Sequence, residues 1–264
     1  MHAIFYLKNM KDKPIKKKLF TREWYSKHLI KEAKKMAADK ALQNQAMDMF
    51  IKSAEYGWYN QTEWFGEPTL NPAQDMFARQ EIIYKTKPDY IIELGVAWGG
   101  SLLFYSTMME IVGGKKIIGV DIYIPPDLVE RINSHKKLSR RITLINGSST
   151  EETTINKIKR IIGDNQKLLV ICDSNHTHDH VLSELRLYSD LVGKGYYMIC
   201  DDTFVEQVKG ESRINTNRPW GPGNNPETAR RAFMNENKNF EIDKILENKL
   251  LISCNANGYL RRIK

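Results

Sequence analysis

Carboxylate side chains follow two short apolar segments in the second half of the sequence. Asp173 comes directly after Leu168–Cys172, and the pair Asp201 and Asp202 comes directly after Tyr196–Cys200. If both segments are neighbouring parallel strands, their carboxyl ends lie at the same edge of the sheet. Three carboxylates that converge there cannot all stay ionised without a cation between them. The pattern therefore predicts a divalent metal held by Asp173, Asp201 and Asp202.

Histidines follow the first of these carboxylates closely. His176 lies one turn beyond Asp173, where an imidazole is a natural general base at neutral pH. For His178 and His180, capping of the next helix is the better supported role, because one imidazole usually faces such a cleft. His178 is retained as a candidate substrate contact. The oxygen ligands favour Mg²⁺, Mn²⁺ or Ca²⁺, with Mg²⁺ expected first, and the imidazoles leave Fe²⁺ as an alternative.

A glycine-rich turn follows an earlier apolar segment, with the sequence Glu93-Leu-Gly95-Val-Ala97-Trp-Gly99-Gly100-Ser101. Its spacing, G-x-x-x-G-G, differs from the dinucleotide pattern G-x-G-x-x-G and argues against a nicotinamide enzyme. Glycines let the backbone approach a ligand, although tight strand-to-helix turns also use them. Asp121 ends the next segment, where an acidic residue commonly bonds a ribose hydroxyl. Together the two features predict a site for an adenosine-type ligand.

Small polar residues, Asn146-Gly147-Ser148-Ser149, follow a third apolar segment. They either bracket the base of that ligand or belong to the start of the next helix. The second alternative is at least as well supported, because Glu152 follows Ser149 at the spacing of a capping box.

The residues after Gln74 alternate between short apolar runs and helical patterns, which predicts an α/β fold. Because the strands are apolar on consecutive residues, we expect a doubly wound, Rossmann-like, mostly parallel sheet covered on both faces. The predicted strands are Tyr90–Leu94, Lys116–Val120, Ile142–Ile145, Leu168–Cys172 and Tyr196–Cys200. The predicted helices are Ser101–Ile111, Glu152–Ile162, Val181–Tyr188 and Pro226–Phe233. The last stretch, Phe240–Ile263, predicts a closing antiparallel hairpin that turns near Asn255–Gly258.

Positive charge is concentrated at the start of the chain. The 264 residues carry 40 Lys+Arg against 32 Asp+Glu, a net charge of +8. Residues 1–72 are predicted to form a basic helical appendage, with one helix from Thr21 to about Tyr56, and residues 73–264 the main domain. The charge belongs either to an arm for an anionic partner or, as is better supported, to the solvated face of an oligomer-forming helix or substrate lid. The lysines concerned are Lys11, Lys13, Lys16, Lys17, Lys18, Lys27, Lys31, Lys34, Lys35 and Lys40.

The composition excludes several classes of protein. With 41% hydrophobic and 27% charged residues, the chain is typical of a soluble globular protein. No apolar stretch reaches the roughly 18 residues that span a bilayer, and we find no signal peptide. Three cysteines are too few for a disulfide framework, so we expect reduced thiols and a cytoplasmic location.

Taken together, the motifs resemble those of the cephalosporin hydroxylase and rhamnosyl O-methyltransferase family of S-adenosylmethionine-dependent, metal-assisted methyltransferases. The resemblance extends from about Trp64 to Phe233, and the sequence is also similar to macrolide-sugar O-methyltransferases. It is carried, in chain order, by Trp64-x-Gly66-x-Pro68, Gln74-Asp75, Gln80-Glu81, Glu93-x-Gly95-x-x-x-Gly99-Gly100-Ser101, Gly119-Val-Asp121, Gly147-Ser148-Ser149, Asp173-Ser-x-His176, Asp201-Asp202-Thr203 and Pro219-Trp-Gly221-Pro-Gly223.

The resemblance implies roles for individual residues. By similarity, His176 would take the proton from the acceptor hydroxyl, with Asp173, Asp201 and Asp202 around a metal. Two positions depart from the family pattern: relatives often have Glu where Asp201 stands, and His or another polar residue where Trp98 stands. The shorter Asp201 is expected to alter metal distance or preference. The residues expected to contact the methyl donor are Glu93, Gly95, Ala97, Gly99, Ser101, Asp121, Ile122, Gly147, Ser148, Ser149 and Asp173.

The predicted function is methyl transfer from S-adenosylmethionine to a sugar hydroxyl in a surface polysaccharide or natural product. If the sugar is nucleotide-linked, Arg213 and Arg218 are candidates for its phosphates, with Trp220 beside them. We expect a homo-oligomer with no nucleic-acid partner. One alternative is a non-catalytic or hydroxylase-like partner protein that retains the cofactor fold. Another is a nucleic-acid methyltransferase, which the lack of an Asn/Asp-Pro-Pro-aromatic motif disfavours.

Overall fold

A seven-stranded sheet forms the centre of the molecule in a computed structural model, which describes residues 21–164 and 167–264. The strands of this sheet are β3 (Tyr90–Leu94), β4 (Lys116–Asp121), β5 (Ile142–Asn146), β6 (Leu168–Cys172), β7 (Tyr197–Cys200), β8 (Phe240–Ile242) and β9 (Tyr259–Arg262), and a separate hairpin pairs β1 (Glu63–Trp64) with β2 (Glu67–Pro68). The seven strands lie in the order β5-β4-β3-β6-β7-β9-β8. Strands β3 to β7 pair in parallel, and β9 lies antiparallel between β7 and β8. The predicted mostly parallel sheet with a closing antiparallel strand is confirmed.

Helices cover both faces of the sheet, and each face has its own hydrophobic core. The helices are α1 (Arg22–Ala38), α2 (Lys40–Ala54), α3 (Ala73–Thr86), α4 (Gly100–Val112), α5 (Pro126–Ser134), α6 (Lys136–Ser139), α7 (Glu152–Ile162), α8 (His178–Ser189), α9 (Pro226–Glu236) and α10 (Lys244–Glu247), with two short 3-10 helices at Trp58–Gln61 and Thr203–Gln207. Because successive strand residues point to opposite faces, Ile92 and Ile118 join the core under α7, α8 and α9. Ile91 and Ile117 join the core under α3, α4 and α5.

The predicted strands agree with the structure to within one residue, but two local predictions are wrong. Ser149 and Glu152 form no capping box, because α7 follows Glu151 and the Ser149 hydroxyl donates to Glu184 instead. The closing hairpin does not turn tightly near residues 255–258, since α10 lies within its connection. Gly258 has another role there: a Cβ would lie 2.2 Å from the carbonyl oxygen of Cys200, so the close backbone approach requires glycine.

The helix predicted from Thr21 to Tyr56 is two helices, α1 and α2. Asp39 between them has an extended backbone, and its carboxylate accepts a hydrogen bond from the N–H of Leu42 at 3.0 Å. An aspartate at this position caps a new helix more favourably than it continues an old one. The lysines predicted as a cluster at positions 11, 13, 16, 17 and 18 lie outside the described residues.

The second N-terminal helix packs directly against the main domain. Phe50 of α2 is fully buried, and its ring centroid lies 5.0 Å from that of Phe204 in the second 3-10 helix. Val205, Ile214 and Cys254 complete this small core. The division of the chain into two domains at residue 72 therefore stays a prediction, while α2 shares a hydrophobic core with residues beyond that position.

Among residues 21–164 and 167–264, no helix has the length and apolar character to cross a bilayer.

Candidate active site

Two adjoining cavities lie where the parallel strands end. The first has a volume of about 300 Å³ and the second about 220 Å³, and Gly95, Asp121, Ser174 and Trp220 line both. β3 and β6 are neighbours from which the chain proceeds to opposite sides of the sheet, so the cavities occupy the crevice where such folds bind ligands. The other lining residues of the second cavity are Val120, Ile122, Gly147, Ser148, Ser149, Asn175 and His180.

An acidic cluster that includes one imidazole faces the first cavity. Asp173, His176 and Asp202 each offer a ligand atom within 4.8 Å of the others. The Nε2 atom of His176 lies 3.3 Å from a carboxylate oxygen of Asp202, and the edge of the imidazole packs against the Trp220 ring, with centroids 4.7 Å apart. The strand ends thus bring together two of the three predicted metal ligands and the predicted base.

Asp201 lies in a different environment from its neighbour Asp202. Its carboxylate is buried and accepts a hydrogen bond from the Arg79 guanidinium at 2.5 Å. Arg79, on α3, is also fully buried, and it donates to the Tyr105 hydroxyl at 2.6 Å and to the Asn71 side-chain oxygen at 2.8 Å. The other carboxylate oxygen of Asp201 is buried without a hydrogen bond from any described residue. One oxygen of Asp201 is therefore bonded to Arg79, and Asp201, the third predicted metal ligand, is not among the residues whose ligand atoms lie within 4.8 Å of one another.

The electrostatics of the cluster favour a cation as well. Burial raises the pKa of Asp173, and repulsion from Asp201 and Asp202 reinforces the increase. Burial also raises the pKa of Asp201 to about 6, although Arg79 acts in the opposite direction. Since carboxylates with raised pKa values gain from a neighbouring positive charge, this donor set fits a divalent, oxygen-preferring ion.

The turn after β3 is held against the strand that carries Asp173. Gly95 has a φ of +95°, and a Cβ there would lie 2.0 Å from the carbonyl oxygen of Asp173. The Asp121 carboxylate accepts hydrogen bonds from the N–H groups of Val96 at 2.9 Å and Ala97 at 3.4 Å. The same turn therefore touches both β6 and β4, at the boundary between the two cavities.

A buried carboxyl group lies beneath this turn. Glu93 accepts a hydrogen bond from the Ser101 hydroxyl at 2.8 Å, and both residues line the first cavity. Burial raises the pKa of Glu93 to about 8, with Arg79 acting in the opposite direction. A cationic ligand group beside Glu93 would favour its ionised form, so this end of the cavity fits the amino group of an amino-acid-like donor.

The remaining predicted donor contacts separate into two groups. Ala97 lines the first cavity, and Ile122, Gly147, Ser148 and Ser149 line the second. Gly99 lines neither: at φ +82° it precedes α4, and a Cβ there would lie 3.0 Å from the Leu128 side chain. Gly99 therefore serves the turn and the packing of α5.

Of the predicted substrate contacts, three line the first cavity and one does not. Arg213, Arg218 and Trp220 form part of its wall, and the Arg218 guanidinium lies 5.3 Å from the centre of the Trp220 ring. His178 is not among the described residues that line either cavity, and its Nδ1 lies 2.8 Å from the Thr228 hydroxyl. His178 thus joins α8 to α9.

Two further features of the cavities were not predicted. Tyr59, from the segment after α2, lines the first cavity. Burial raises the pKa of its hydroxyl; Asp202 reinforces this increase, whereas Arg213 and Arg218 oppose it. In the second cavity, His180 contacts two serines and a buried glutamate, Glu184. His180 and Glu184 are four residues apart on α8, but the helix predicted from the sequence begins at Val181 and leaves His180 outside, so the pair was missed.

Comparisons with known proteins identify a family and similar folds. The family model described as Rhamnosyl O-methyltransferase/CmcI matches residues 56–263. A rhamnosyl O-methyltransferase from Mycobacterium bovis (strain BCG / Pasteur 1173P2) is 29% identical over 213 residues, covering 77% of this chain and 79% of the relative. An apo structure of CmcI has 21% identity and a TM-score of 0.55 over 78% of this chain and 77% of that one. A CmcI structure described with Mg and SAM has 20% identity and a TM-score of 0.54 over 78% of each chain.

Proposed function

The chain belongs to the rhamnosyl O-methyltransferase/CmcI family, and from this we propose that it transfers a methyl group from S-adenosylmethionine to a sugar hydroxyl with the help of a divalent metal. The observation that carries the proposal is the placement of Asp173, His176 and Asp202 on the same cavity as the turn that contains Gly95. The rhamnosyl O-methyltransferase relative and the CmcI neighbour described with Mg and SAM support the choice of reaction and cofactors.

The donor would bind along the strand ends, with residues at each of its ends. Asp121, at the boundary of the cavities, is placed for the ribose hydroxyls. Glu93 and Ser101 lie on the first-cavity side for the amino-acid part, and Gly147 and Ser148 on the second-cavity side for the base. This arrangement directs the reacting end of the donor toward His176.

The acidic cluster prepares the acceptor. When bound, a divalent ion lowers the pKa of a hydroxyl that it coordinates, and S-adenosylmethionine supplies the methyl group. Asp173 and Asp202 would hold the ion, with the second oxygen of Asp201 behind them. His176 then takes the hydroxyl proton at Nε2, and the contact with Trp220 holds its ring in place. Asp202 stabilises the imidazolium that forms.

A nucleotide-linked sugar is the acceptor form that the first cavity supports best. Carboxylates line its inner end, whereas Arg213 and Arg218 are exposed members of its wall and neither guanidinium has a carboxylate partner among the described residues. Guanidinium groups bind phosphate in a bidentate manner, and Trp220 and Tyr59 offer aromatic faces to a sugar or base. We therefore place the hydroxyl at the acidic end and the phosphates at the arginines.

The three cysteines and the exposed aromatic residues bear on the setting of the protein. Cys172, Cys200 and Cys254 are all free and buried, which supports a reducing, cytoplasmic location.

Phe77 is 72% exposed and Tyr84 63% exposed on α3, and such apolar exposure supports a homo-oligomer. Light scattering at several protein concentrations measures the oligomer, and a monomer throughout would contradict that part of the proposal.

The decisive experiment is a methyl-transfer assay with labelled S-adenosylmethionine and a panel of free and nucleotide-linked sugars. We expect transfer that requires Mg²⁺ and stops when EDTA is added. Donor binding without transfer to any sugar would favour the non-catalytic partner protein. Transfer to RNA or DNA, with binding that weakens steeply as salt rises, would favour the nucleic-acid enzyme and overturn the sugar assignment.

A further inference from the structure

A buried carboxylate at the second cavity joins two of the loops that follow the strands. Glu184 of α8 is fully buried. Its Oε1 atom accepts hydrogen bonds from the hydroxyls of Ser149, after β5, at 2.5 Å and Ser174, after β6, at 2.6 Å. The Nε2 atom of His180 lies 3.0 Å from each serine oxygen and 3.3 Å from the same Oε1.

The hydrogen-bond directions fix the proton on His180. Each serine hydroxyl has one hydrogen, and both hydrogens go to Glu184. The serine oxygens can therefore only accept at His180, so Nε2 must be the nitrogen that carries the hydrogen. In the neutral ring, Nδ1 is then an acceptor. The described residues place no hydrogen bond on this atom, although His180 lines the second cavity.

The cavity that His180 lines is the one assigned to the base of the donor. The second cavity extends from Asp121 past Val120 and Ile122, which provide apolar contacts, to the residues after β5. With the ribose at Asp121, the base occupies this cavity. Adenine differs from the other common purines in bearing an exocyclic amino group, a hydrogen-bond donor, at position 6.

We propose that His180, oriented by Glu184, selects the donor's base by accepting a hydrogen bond from its 6-amino group at Nδ1. The inference rests on the proposed function, because it requires an adenosine-type donor. A 6-oxo purine would present an oxygen lone pair to the Nδ1 lone pair, and an acceptor that faces an acceptor is disfavoured.

Binding calorimetry with the full chain tests this inference without turnover. The two ligands are S-adenosylhomocysteine and S-inosylhomocysteine, which differ at position 6 of the base. We expect the unaltered protein to prefer the adenosyl ligand and His180→Ala to reduce that preference by about five- to tenfold. Glu184→Ala should reduce it as well, because removal of the carboxylate leaves both serine hydroxyls free to donate to His180, so that Nε2 need no longer carry the hydrogen.

His178→Ala is the matched control, since His178 is on the same helix but outside both cavities, and it should keep the full preference. Thermal unfolding of each variant establishes that it is folded. An unchanged preference in His180→Ala and Glu184→Ala, or an equal loss of both ligands, would assign the cluster a packing role and overturn the inference alone. Failure of the unaltered protein to bind S-adenosylhomocysteine would overturn the proposed function and the inference with it.

Discussion

The two cavities are built from different parts of the chain. Strand ends and the first residues after them supply most of the wall of the second cavity. The first cavity also uses Tyr59, Asn60 and residues 68–71 from before the sheet, and Arg213, Arg218 and Trp220 from the long connection before α9. The second cavity, which would receive the donor's base, is thus a product of the sheet itself, whereas the part of the first cavity assigned to the acceptor depends on segments added to the sheet.

This difference separates two kinds of measurement. Changes at the first-cavity residues assigned to the acceptor, such as His176 and Arg218, should alter acceptor kinetics and leave the binding of S-adenosylhomocysteine unchanged. Changes at the second-cavity residues assigned to the donor's base should alter the binding of S-adenosylhomocysteine. Each variant below is therefore best measured in both assays.

The largest effect is expected for His176→Ala. Removal of a general base typically lowers kcat by about 10²- to 10⁴-fold. Because His176 is assigned to the acceptor hydroxyl and not to the donor, the affinity for S-adenosylhomocysteine should not change. Calorimetry with Mg²⁺ tells a base from a ligand, since loss of a metal ligand would weaken Mg²⁺ binding. Unchanged turnover at saturating donor and metal would exclude His176 as the base.

The buried pair behind the first cavity should matter most for folding. Arg79→Met leaves the Asp201 carboxylate buried without its cation, which should cost about 3–5 kcal/mol in the free energy of unfolding. Urea denaturation measures this loss. The double variant Arg79→Met, Asp201→Asn should recover part of it, because no buried charge is left unpaired. A loss below about 1 kcal/mol would mean that water or another cation reaches Asp201.

Glu93 should make stability depend on pH. Its pKa is about 8 in the folded chain against an ordinary value of 4.5. Between these values the folded state keeps a proton that the unfolded state has lost, so stability falls as pH rises, by about 1.4 kcal/mol per pH unit from this group. Glu93→Gln should remove that slope. Unfolding at pH 5 and pH 7 compares the two chains, and parallel pH profiles would contradict the buried, protonated carboxyl group.

The smallest effect is expected for Arg218→Glu. The KM for a nucleotide-linked sugar should rise by about three- to tenfold, while that for the free sugar stays constant, because only the former brings phosphates. Arg160→Glu on α7 makes the same charge change at an exposed position that lines neither cavity, and it should leave both constants unchanged. Equal effects of the two variants would reduce the role of Arg218 to net charge.

Prediction from the sequence succeeded where one short segment determines the outcome. The strands were recognisable because short runs dominated by apolar residues lie between polar or glycine-rich turns, and Asp121, Asp173 and Asp202 follow from the strand ends. The break between α1 and α2 at Asp39 was not recognised, because aspartate is only mildly unfavourable inside a helix. Its carboxylate caps α2 by accepting a hydrogen bond from the N–H of Leu42, a role that the residue type alone does not establish.

Contacts between distant residues were beyond the sequence pattern. Arg79 and Asp201 are 122 positions apart, and nothing in either segment indicates that they pair. The same holds for Tyr59, which reaches the first cavity only because Phe50 packs on Phe204. The role of His180 was missed for a related reason: capping of the next helix was the favoured role, whereas His180 lies in α8, lines the second cavity and contacts Ser149, Ser174 and Glu184.

The backbone contact at Gly95 has a consequence for how this protein can diversify. Because the Asp173 carbonyl occupies the place of a Gly95 side chain, the donor turn and the strand bearing Asp173 are spaced by two backbones in contact. Substitution at either position cannot change that spacing in small steps. Any side chain at position 95 would collide with the carbonyl oxygen of residue 173, and a substitution at position 173 leaves that backbone carbonyl in place. New acceptors must therefore be accommodated through Tyr59 and residues 68–71 and through the arginine-bearing connection, which also line the first cavity.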